Sequence, residues 1–386
     1  MKDNHIELIR LRLFTANEQQ AKTDPYNYGH TLNLALKLAR RIKAQGLQIM
    51  LDFHYSDTWA DPGHQSKPNT WANLTFDQLV ATLHDYTRES LRAFVEAKSI
   101  PEYVQIGNEI THGMLWPDGR LNNDSDWPRL AALLQAASRA VREVVGQKTK
   151  IIIHSTASTR WAHAQWYFNK VIADIDFDII GLSYYPFWHG KLDALHFCLE
   201  QLSRHYDKSI FIVETAYPWD TDPSSKQSMK NVTGFEESPE GQMLYITSIA
   251  DMLRDLPGKK REFGLVWWAA EYVTLKSFTN LAGFDKNSFF NSNGTALPIL
   301  RTFGQLSNPV TINDGIWGHA YCWSFVYILT LTGILLHFFI LRSIICFGYP
   351  LQFNTFLMCC IALFKISSDE QIRHARVTNE DIKSNF

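Results

Sequence analysis

Short apolar runs rich in isoleucine and valine alternate with amphipathic stretches along most of this chain. Between Thr31 and Gln45, apolar residues recur three and four positions apart, which predicts a helix with one buried face. Gly46 follows as a helix stop, and residues 47–53 form a nearly continuous apolar run that predicts a buried strand. This alternation is typical of a parallel sheet covered by helices.

The same periodicities predict strands and helices up to about residue 305. The strands fall at residues 6–14, 47–53, 103–107, 150–154, 177–183, 209–213 and 263–267. The helices fall at residues 31–45, 76–97, 130–145, 194–205, 240–254 and 297–303. A closed (β/α)8 barrel needs eight strands, so an open doubly wound sheet is the alternative. No Gly-x-Gly-x-x-Gly or phosphate loop follows a strand, which disfavours a nucleotide-binding sheet.

The pattern changes after about residue 315. Residues 322–341 contain no Asp, Glu, Lys or Arg, and a second uncharged run covers residues 343–364. About twenty apolar residues are enough to cross a bilayer as a helix. Two interpretations stay open, a membrane anchor of one or two helices and sequence that belongs to no domain. We therefore predict a barrel domain at residues 1–308 and a hydrophobic helical tail at residues 309–386.

Charge and cysteine content narrow the function classes. Lys and Arg number 37 against 39 Asp and Glu, and this balance argues against a nucleic-acid-binding protein. Of the five cysteines, only Cys198 precedes residue 315, so no disulfide framework is expected there. No Cys-x-x-Cys or His-Glu-x-x-His motif indicates a metal site.

Carboxylic acids follow two of the predicted strands. Asn108 and Glu109 come after the strand at 103–107, and Glu214 comes after the strand at 209–213. A lone strand-end acid is ordinarily a helix cap or a surface charge, but two among aromatic residues favour paired chemistry. In a barrel, such residues gather at the carboxyl ends of the strands. Glycoside hydrolysis needs a pair of this kind, one group protonating the leaving oxygen and the other supporting the anomeric carbon.

Several segments resemble one enzyme family. They are LIRLRLF (8–14), IMLDFHYSDTWADPGHQ (49–65), VQIGNE (104–109), DIIGLSYYPFWHG (178–190), VETAYPW (213–219) and SPEGQ (238–242). Their order and content resemble the arabinogalactan endo-β-1,4-galactanases, family 53 of the glycoside hydrolases, over roughly residues 6–305. The resemblance implies a (β/α)8 barrel and a retaining, endo-acting enzyme that cleaves β-1,4-galactosidic linkages in (arabino)galactan without a required cofactor.

The resemblance also implies residue roles. Glu109 is similar to the family's acid/base, Glu214 to its nucleophile and Asn108 to the partner of the sugar 2-hydroxyl. Either Arg10 or Arg12 would hold the nucleophile carboxylate, and we assign Arg12 to the substrate-binding set. The other candidate substrate contacts are His54, Tyr184, Trp188, Trp219 and Trp268. Some family members bind calcium after strand 7, where Asp220, Asp222, Glu236 and Glu237 could serve, although a solvated loop is the simpler interpretation.

Departures from the family pattern set further expectations. Residues 6–14 resemble the family's second strand, so we expect a barrel lacking strand 1, with seven parallel strands and a gap between residues 6–14 and 263–267. No export signal is expected in the chain, although the resemblance implies a secreted or periplasmic enzyme. The expected partner is galactan, with no nucleic acid and with membrane contact through the tail. The alternatives are a polysaccharidase acting on mannan or glucan and an inactive carbohydrate-binding remnant.

Overall fold

A computed structural model describes residues 4–24, 29–221, 228–257, 262–273 and 284–306. Contacts divide the chain into Met1–Val310 and Thr311–Phe386, and every described residue belongs to the first unit. The predicted tail and both of its uncharged runs therefore lie outside the described residues. Among the helices in the described ranges, none combines the length and apolar character needed to cross a membrane.

The main sheet contains seven parallel strands. Together with a short antiparallel hairpin, the strands in chain order are β1 (Leu8–Leu13), β2 (Gln48–Phe53), β3 (Tyr103–Ile106), β4 (Gly113–Met114), β5 (Gly119–Arg120), β6 (Lys150–Ser155), β7 (Ile179–Tyr184), β8 (Ser209–Thr215) and β9 (Phe263–Trp267). The strand order is β1-β2-β3-β6-β7-β8-β9, and β4 pairs only with β5. The predicted seven-strand order, with β1 and β9 at its two ends, is thus confirmed for the described part of the chain.

Helices cover the outside of this sheet. They are α1 (Glu18–Thr23), α2 (Leu32–Ala44), α3 (Phe76–Glu96), α4 (Trp127–Val145), α5 (Trp161–Asp174), α6 (Pro186–His189), α7 (Leu192–His205), α8 (Lys230–Thr233), α9 (Pro239–Arg254) and α10 (Ile299–Gln305). Of the longer helices, only α5 was not predicted from the sequence. Its apolar residues form no narrow stripe, and Arg160 at its N-cap makes no side-chain cap hydrogen bond, so neither usual helix signal is present.

Alternate residues of each strand point to opposite faces, which separates two apolar layers. On β2, Ile49, Leu51 and Phe53 are buried against the helices, whereas Met50 belongs to a separate cluster inside the barrel. The other buried members of the inner cluster are Tyr103, Ile152, Ile179, Phe211 and Val213. These side chains fill the lower barrel, so the polar inward positions that follow them lie nearer the carboxyl ends of the strands.

Close packing inside the barrel depends on a glycine in β9. A β-carbon added at Gly264 would lie 2.3 Å from Cδ2 of Phe211, which is a closer approach than real β-carbons make. Phe211 is itself buried, so its ring has little room to retreat. The glycine is therefore required by the contact between β8 and β9.

We predict that Gly264→Ala lowers the free energy of unfolding by about 1–3 kcal/mol, because it overpacks the inner core. Phe211→Leu should make room for the added methyl group, so the double variant should lose less stability than the two single losses summed. Urea unfolding of the three variants checks this coupling. Strict additivity of the two losses would show that Gly264 and Phe211 do not compete for the same space.

Candidate active site

Four polar side chains occupy inward positions near the carboxyl ends of neighbouring strands. Asp52, Gln105, His154 and Ser183 lie on β2, β3, β6 and β7, and each is fully buried. On each strand, a member of the inner apolar cluster lies two or four residues before the polar residue, so both side chains point to the same face of the sheet. Sequence reasoning gave Gln105 and Ser183 no role, although a polar residue inside an otherwise apolar run was the available signal.

A β-bulge aims Glu214 into the barrel. Leu182 pairs with Ile212 and Ser183 pairs with Glu214, so β8 contains one extra residue, Val213, between these two pairs. A bulge of this kind reverses the side on which the following side chains emerge. Val213 lies in the inner apolar cluster, and the next side chain, that of Glu214, also faces the interior.

Glu214 is held by one group from another strand and one from the turn after β7. Nη1 of Arg10 donates to its Oε1 at 2.8 Å, and the hydroxyl of Tyr185 donates to its Oε2 at 2.9 Å. Arg10 lies on β1, near the opposite end of the strand order, so this ion pair requires the sheet to curl into a barrel. Both oxygens of the Glu214 carboxylate therefore have a fixed donor.

The Arg10 guanidinium also joins three other strand-end groups. Its Nη2 lies 2.9 Å from Asp52 and donates to Oδ1 of Asn108 at 2.8 Å, while Nε and Nη2 both approach Gln105. Burial lowers the pKa of Arg10, but the carboxylates of Asp52 and Glu214 outweigh this effect and raise it above the ordinary value. For Asp52, burial acts in the opposite direction and raises the pKa. Arg10 and His54 together outweigh burial and lower the pKa of Asp52 to about 2. The cation and the Asp52 anion thus stabilise each other.

Glu109 occupies a tight turn directly after β3. Gly107 has φ of 95° and Glu109 itself has φ of 52°, so two residues of the segment lie in the left-handed region. Ser183 donates a hydrogen bond to Oε1 of Glu109 at 2.6 Å. Burial, followed by the charge of Glu214, raises the pKa of Glu109 to about 8, although the Ser183 hydrogen bond acts in the opposite direction. At neutral pH, Glu109 is therefore mostly protonated.

Of the two arginines considered for the nucleophile carboxylate, the structure brings Arg10 to Glu214. Both arginines alternate to the same side of β1, so the sequence pattern could not separate them. The guanidinium carbon of Arg12 instead lies 4.5 Å from the centroid of the Trp59 ring. The Glu214 ion pair belongs to Arg10, and the prediction that Arg12 binds substrate stays a prediction.

The prediction for Tyr184 needs a correction. Tyr184 is fully buried, its hydroxyl donates to the Gly190 carbonyl, and its ring stacks beside Tyr245 in the outer core. As the last residue of β7, Tyr184 alternates outward from the inward Ser183. The adjacent Tyr185 begins the next turn and supplies the contact to Glu214.

His54 and Asn108 both lie among the buried groups. The Ala60 N–H donates to Nδ1 of His54, so the other ring nitrogen, Nε2, carries the proton and donates to Asp52 at 3.0 Å. Asn108 donates from Nδ2 to the Ala60 carbonyl at 2.8 Å while its Oδ1 accepts from Arg10. His54 therefore acts on the site through Asp52, and its substrate contact stays a prediction.

Two of the three predicted tryptophans, Trp188 and Trp268, pack against Tyr185, and the third, Trp219, lies against Lys286. Trp188 is 65% exposed, and its ring packs edge-on against Tyr185. Trp268 lies against Tyr185 and Phe284, also edge-on. The amino group of Lys286 lies 4.6 Å from the centroid of the Trp219 ring and occupies one face of it. Of the three, Trp188 offers the largest uncovered aromatic surface.

The candidate calcium ligands do not form a cluster among the described residues. Asp220 pairs with Lys286 at 2.5 Å and Glu236 pairs with Lys230, while Asp222 lies outside the described ranges. In the part of the chain that the structure describes, no three His, Cys, Asp or Glu side chains meet as a metal site.

Comparison with known proteins gives a consistent result. The family model of glycosyl hydrolase family 53 matches residues 1–303. An uncharacterised protein of Niallia circulans is 37% identical over 72% of this chain and 76% of its own length. The arabinogalactan endo-β-1,4-galactanase of Thermothelomyces thermophilus is 33% identical over 75% of this chain and 86% of that enzyme. The solved GH53 catalytic domain of Ignisphaera aggregans is 33% identical, with a TM-score of 0.69 over 78% of this chain and 86% of that one. The chain therefore belongs to glycosyl hydrolase family 53.

Proposed function

We propose that this protein is an endo-acting, retaining β-1,4-galactanase in which Glu214 is the nucleophile and Glu109 is the acid/base. The observation that carries the proposal is the difference between the surroundings of the two buried glutamates. Glu214 is paired with Arg10, whereas the pKa of Glu109 is raised to about 8. A carboxyl group paired with arginine beside a second carboxyl group of raised pKa is what acid-assisted attack on a glycosidic bond requires.

In the first step, Glu214 attacks the anomeric carbon while Glu109 gives its proton to the departing glycosidic oxygen. The carbon–oxygen bond to the leaving sugar breaks as the bond to Glu214 forms, which yields a glycosyl ester. Esterification removes the Glu214 charge, the second largest cause of the raised pKa of Glu109. Glu109, which has given up its proton, is therefore favoured in its ionised form and takes a proton from the attacking water. The water oxygen bonds to the anomeric carbon as the bond to Glu214 breaks, which releases the sugar and restores the Glu214 carboxylate.

The galactan specificity rests on the named relatives, because Thermothelomyces thermophilus and Humicola insolens proteins that resemble this chain are arabinogalactan endo-β-1,4-galactanases. Exposed Trp188 offers a flat apolar surface suited to one face of a sugar ring. A polymeric substrate of this kind is met outside the cytoplasm, so we propose a secreted or periplasmic site of action. The catalytic unit that we propose spans residues 1–308.

Stability should depend on pH through Glu109. Between about pH 4.5, its ordinary pKa, and about pH 8, the unfolded chain has released this proton while the folded chain retains it. The contribution of Glu109 to stability therefore falls as pH rises through this range. We predict that Glu109→Gln raises Tm relative to the wild type much more at pH 8 than at pH 5.

Thermal unfolding monitored by circular dichroism at both pH values measures this difference. Glu96→Gln at the exposed end of α3 is the matched control, and its Tm offset should be the same at both pH values. An equal offset for Glu109→Gln at pH 5 and pH 8 would show that Glu109 is not held protonated.

We predict that Glu214→Ala abolishes galactan hydrolysis and that azide or formate partly restores it, because a small anion can take the place of the missing carboxylate. Azide should give the α-galactosyl azide, whereas the wild type should release products with the β-configuration, as proton NMR of the fresh products will show.

A retaining pair also places the two carboxyl groups about 5–5.5 Å apart. Release of α-products by the wild type would contradict the assignment, and Glu200→Ala on α7 serves as the active control.

The substrate class is tested by comparing potato galactan with mannan and carboxymethylcellulose. We predict reducing-sugar release from galactan alone, with viscosity falling early because an endo-acting enzyme cuts within the chain. Equal or faster release from mannan or carboxymethylcellulose would reassign the substrate. Retention on a galactan affinity gel without reducing-sugar release would indicate a carbohydrate-binding protein.

A further inference from the structure

Both ring nitrogens of the buried His154 are connected to Glu109, one directly and the other through the hydroxyl of Ser183. His154 lies on β6, points into the barrel and is fully buried. Its Nδ1 is 3.2 Å from the backbone nitrogen of Glu109, and its Nε2 is 2.8 Å from the hydroxyl of Ser183. That hydroxyl in turn donates to the Glu109 carboxyl at 2.6 Å. One ring therefore touches the main chain of Glu109 directly and its carboxyl through a single hydroxyl.

The donors and acceptors around the ring favour one arrangement of protons. Nδ1 of His154 faces two N–H donors, the backbone of Glu109 at 3.2 Å and the Gln105 amide at 3.0 Å, so Nδ1 accepts. Oδ1 of Asn108 also lies 3.0 Å from Nδ1, but this oxygen already accepts from Arg10 and from the Gln105 amide. Nε2 consequently carries the ring proton and donates to Ser183. The Ser183 hydroxyl, with its oxygen accepting from the ring, directs its own proton to Glu109.

The surroundings keep the ring neutral. Burial lowers the pKa of His154 well below its ordinary value, and the nearby Arg10 cation lowers it further, against the opposing effect of Asp52. The other titratable rings that face it are His54 and His189, and both also lower its pKa. The neutral tautomer therefore persists across the pH range in which a glycosidase of this kind would work.

Glu109 has a particular need of such support. Its backbone lies at φ 52° and ψ 44°, a left-handed conformation that costs a residue other than glycine about 1–2 kcal/mol. The acceptor at Nδ1 satisfies the amide that this conformation turns into the buried interior. The Ser183 bond then fixes the direction of one carboxyl oxygen. His154 thus holds the backbone of Glu109 itself, and it orients the Ser183 hydroxyl that holds the carboxyl group.

We propose that His154 is a positioning residue for the reaction, holding the backbone of Glu109 through Nδ1 and orienting its carboxyl through Ser183. The inference rests on the proposed acid/base role of Glu109 and adds a residue that has no contact with the substrate in that proposal. A merely structural buried histidine would affect stability and expression. A positioning residue should also affect the protonation of Glu109 and the dependence of rate on the leaving group.

Two variants separate the two contacts of the ring. His154→Asn keeps an acceptor near the position of Nδ1 and removes the Nε2 donor, whereas His154→Gln keeps a donor near Nε2 and removes the Nδ1 acceptor. Ile153→Val, the adjacent outward and buried residue of β6, is the matched control for loss of strand packing. All are made in the full chain, and their stability is measured by urea unfolding.

For His154→Asn, we expect the basic limb of kcat/KM on galactan to move to higher pH. The Ser183 bond lowers the pKa of Glu109, so a less well oriented hydroxyl lets that pKa rise. The charged or titratable groups that also act on Glu109 are Glu214, Arg10 and Asp61, and all remain in place. Ser183→Ala should produce the same shift, and adding His154→Asn to it should move the limb no further.

For His154→Gln, we expect kcat on galactan to fall about 10–100-fold, a part of the roughly 10²–10⁴-fold that general acid catalysis contributes. The fall should be much smaller on a 2,4-dinitrophenyl β-galactobioside, whose leaving group needs no proton. Ile153→Val should lose similar activity, if any, on both substrates and keep the wild-type pH profile. Equal losses on the two substrates for both histidine variants, with an unmoved basic limb, would overturn the inference.

A titration without substrate distinguishes this inference from the proposed function. Carbon-13 NMR of the glutamate carboxyls, with Glu109→Gln used for assignment, should give a higher midpoint for Glu109 in His154→Asn than in the wild type. An unchanged midpoint would overturn the His154 proposal even if the enzyme hydrolyses galactan. Failure of the wild type to hydrolyse galactan, with the midpoint shifted, would overturn the proposed function and leave the His154 contact supported.

Discussion

The active-site geometry depends on one buried cation, Arg10. It is the contact through which β1 reaches Glu214 on β8, and it also binds Asp52 and Asn108. Removing one partner of a buried ion pair typically costs about 3–5 kcal/mol, because the other charge remains buried without compensation. The groups around Arg10 are therefore fixed together, since each satisfies a donor that would otherwise be costly to bury. The contact between Arg10 and Glu214 therefore requires the curled sheet.

The strands supply this geometry through two departures from regular structure. The extra residue in β8, Val213, allows Glu214 to face inward together with the apolar residue before it. The left-handed backbone of Glu109 returns the chain toward the barrel axis directly after β3. Strain at such positions persists only when surrounding contacts over-determine it. Ser183, His154 and Arg10 provide those contacts.

Much of the fold could be predicted from the sequence, because period-two and period-3.6 patterns report burial directly. The strands and most of the long helices follow from those patterns. The positions of Glu109 just after β3 and of Glu214 near the end of β8 follow from the segment motifs. The choice between Arg10 and Arg12 could not be predicted, because both alternate to the same side of β1. That Tyr185 and not Tyr184 contacts Glu214 depends on where β7 ends. The inward direction of the Glu214 side chain depends on a bulge that leaves no sequence pattern. These details are set by strand pairing, which a single sequence does not encode locally.

The charges of the site also explain why the two glutamates differ. Asp52 and Glu214 both lie within 2.9 Å of the Arg10 guanidinium, so two carboxylates already share one buried cation. A third carboxylate at Glu109 would add net negative charge to a site from which water is largely excluded, and protonation avoids that cost. In the proposed reaction, esterification of Glu214 removes one of those negative charges and frees Arg10 to compensate another. Burial and the Glu214 charge thereby favour a protonated Glu109 before bond cleavage, and the loss of that charge together with the Arg10 cation favours an ionised Glu109 after it, which is the order that a retaining hydrolysis requires.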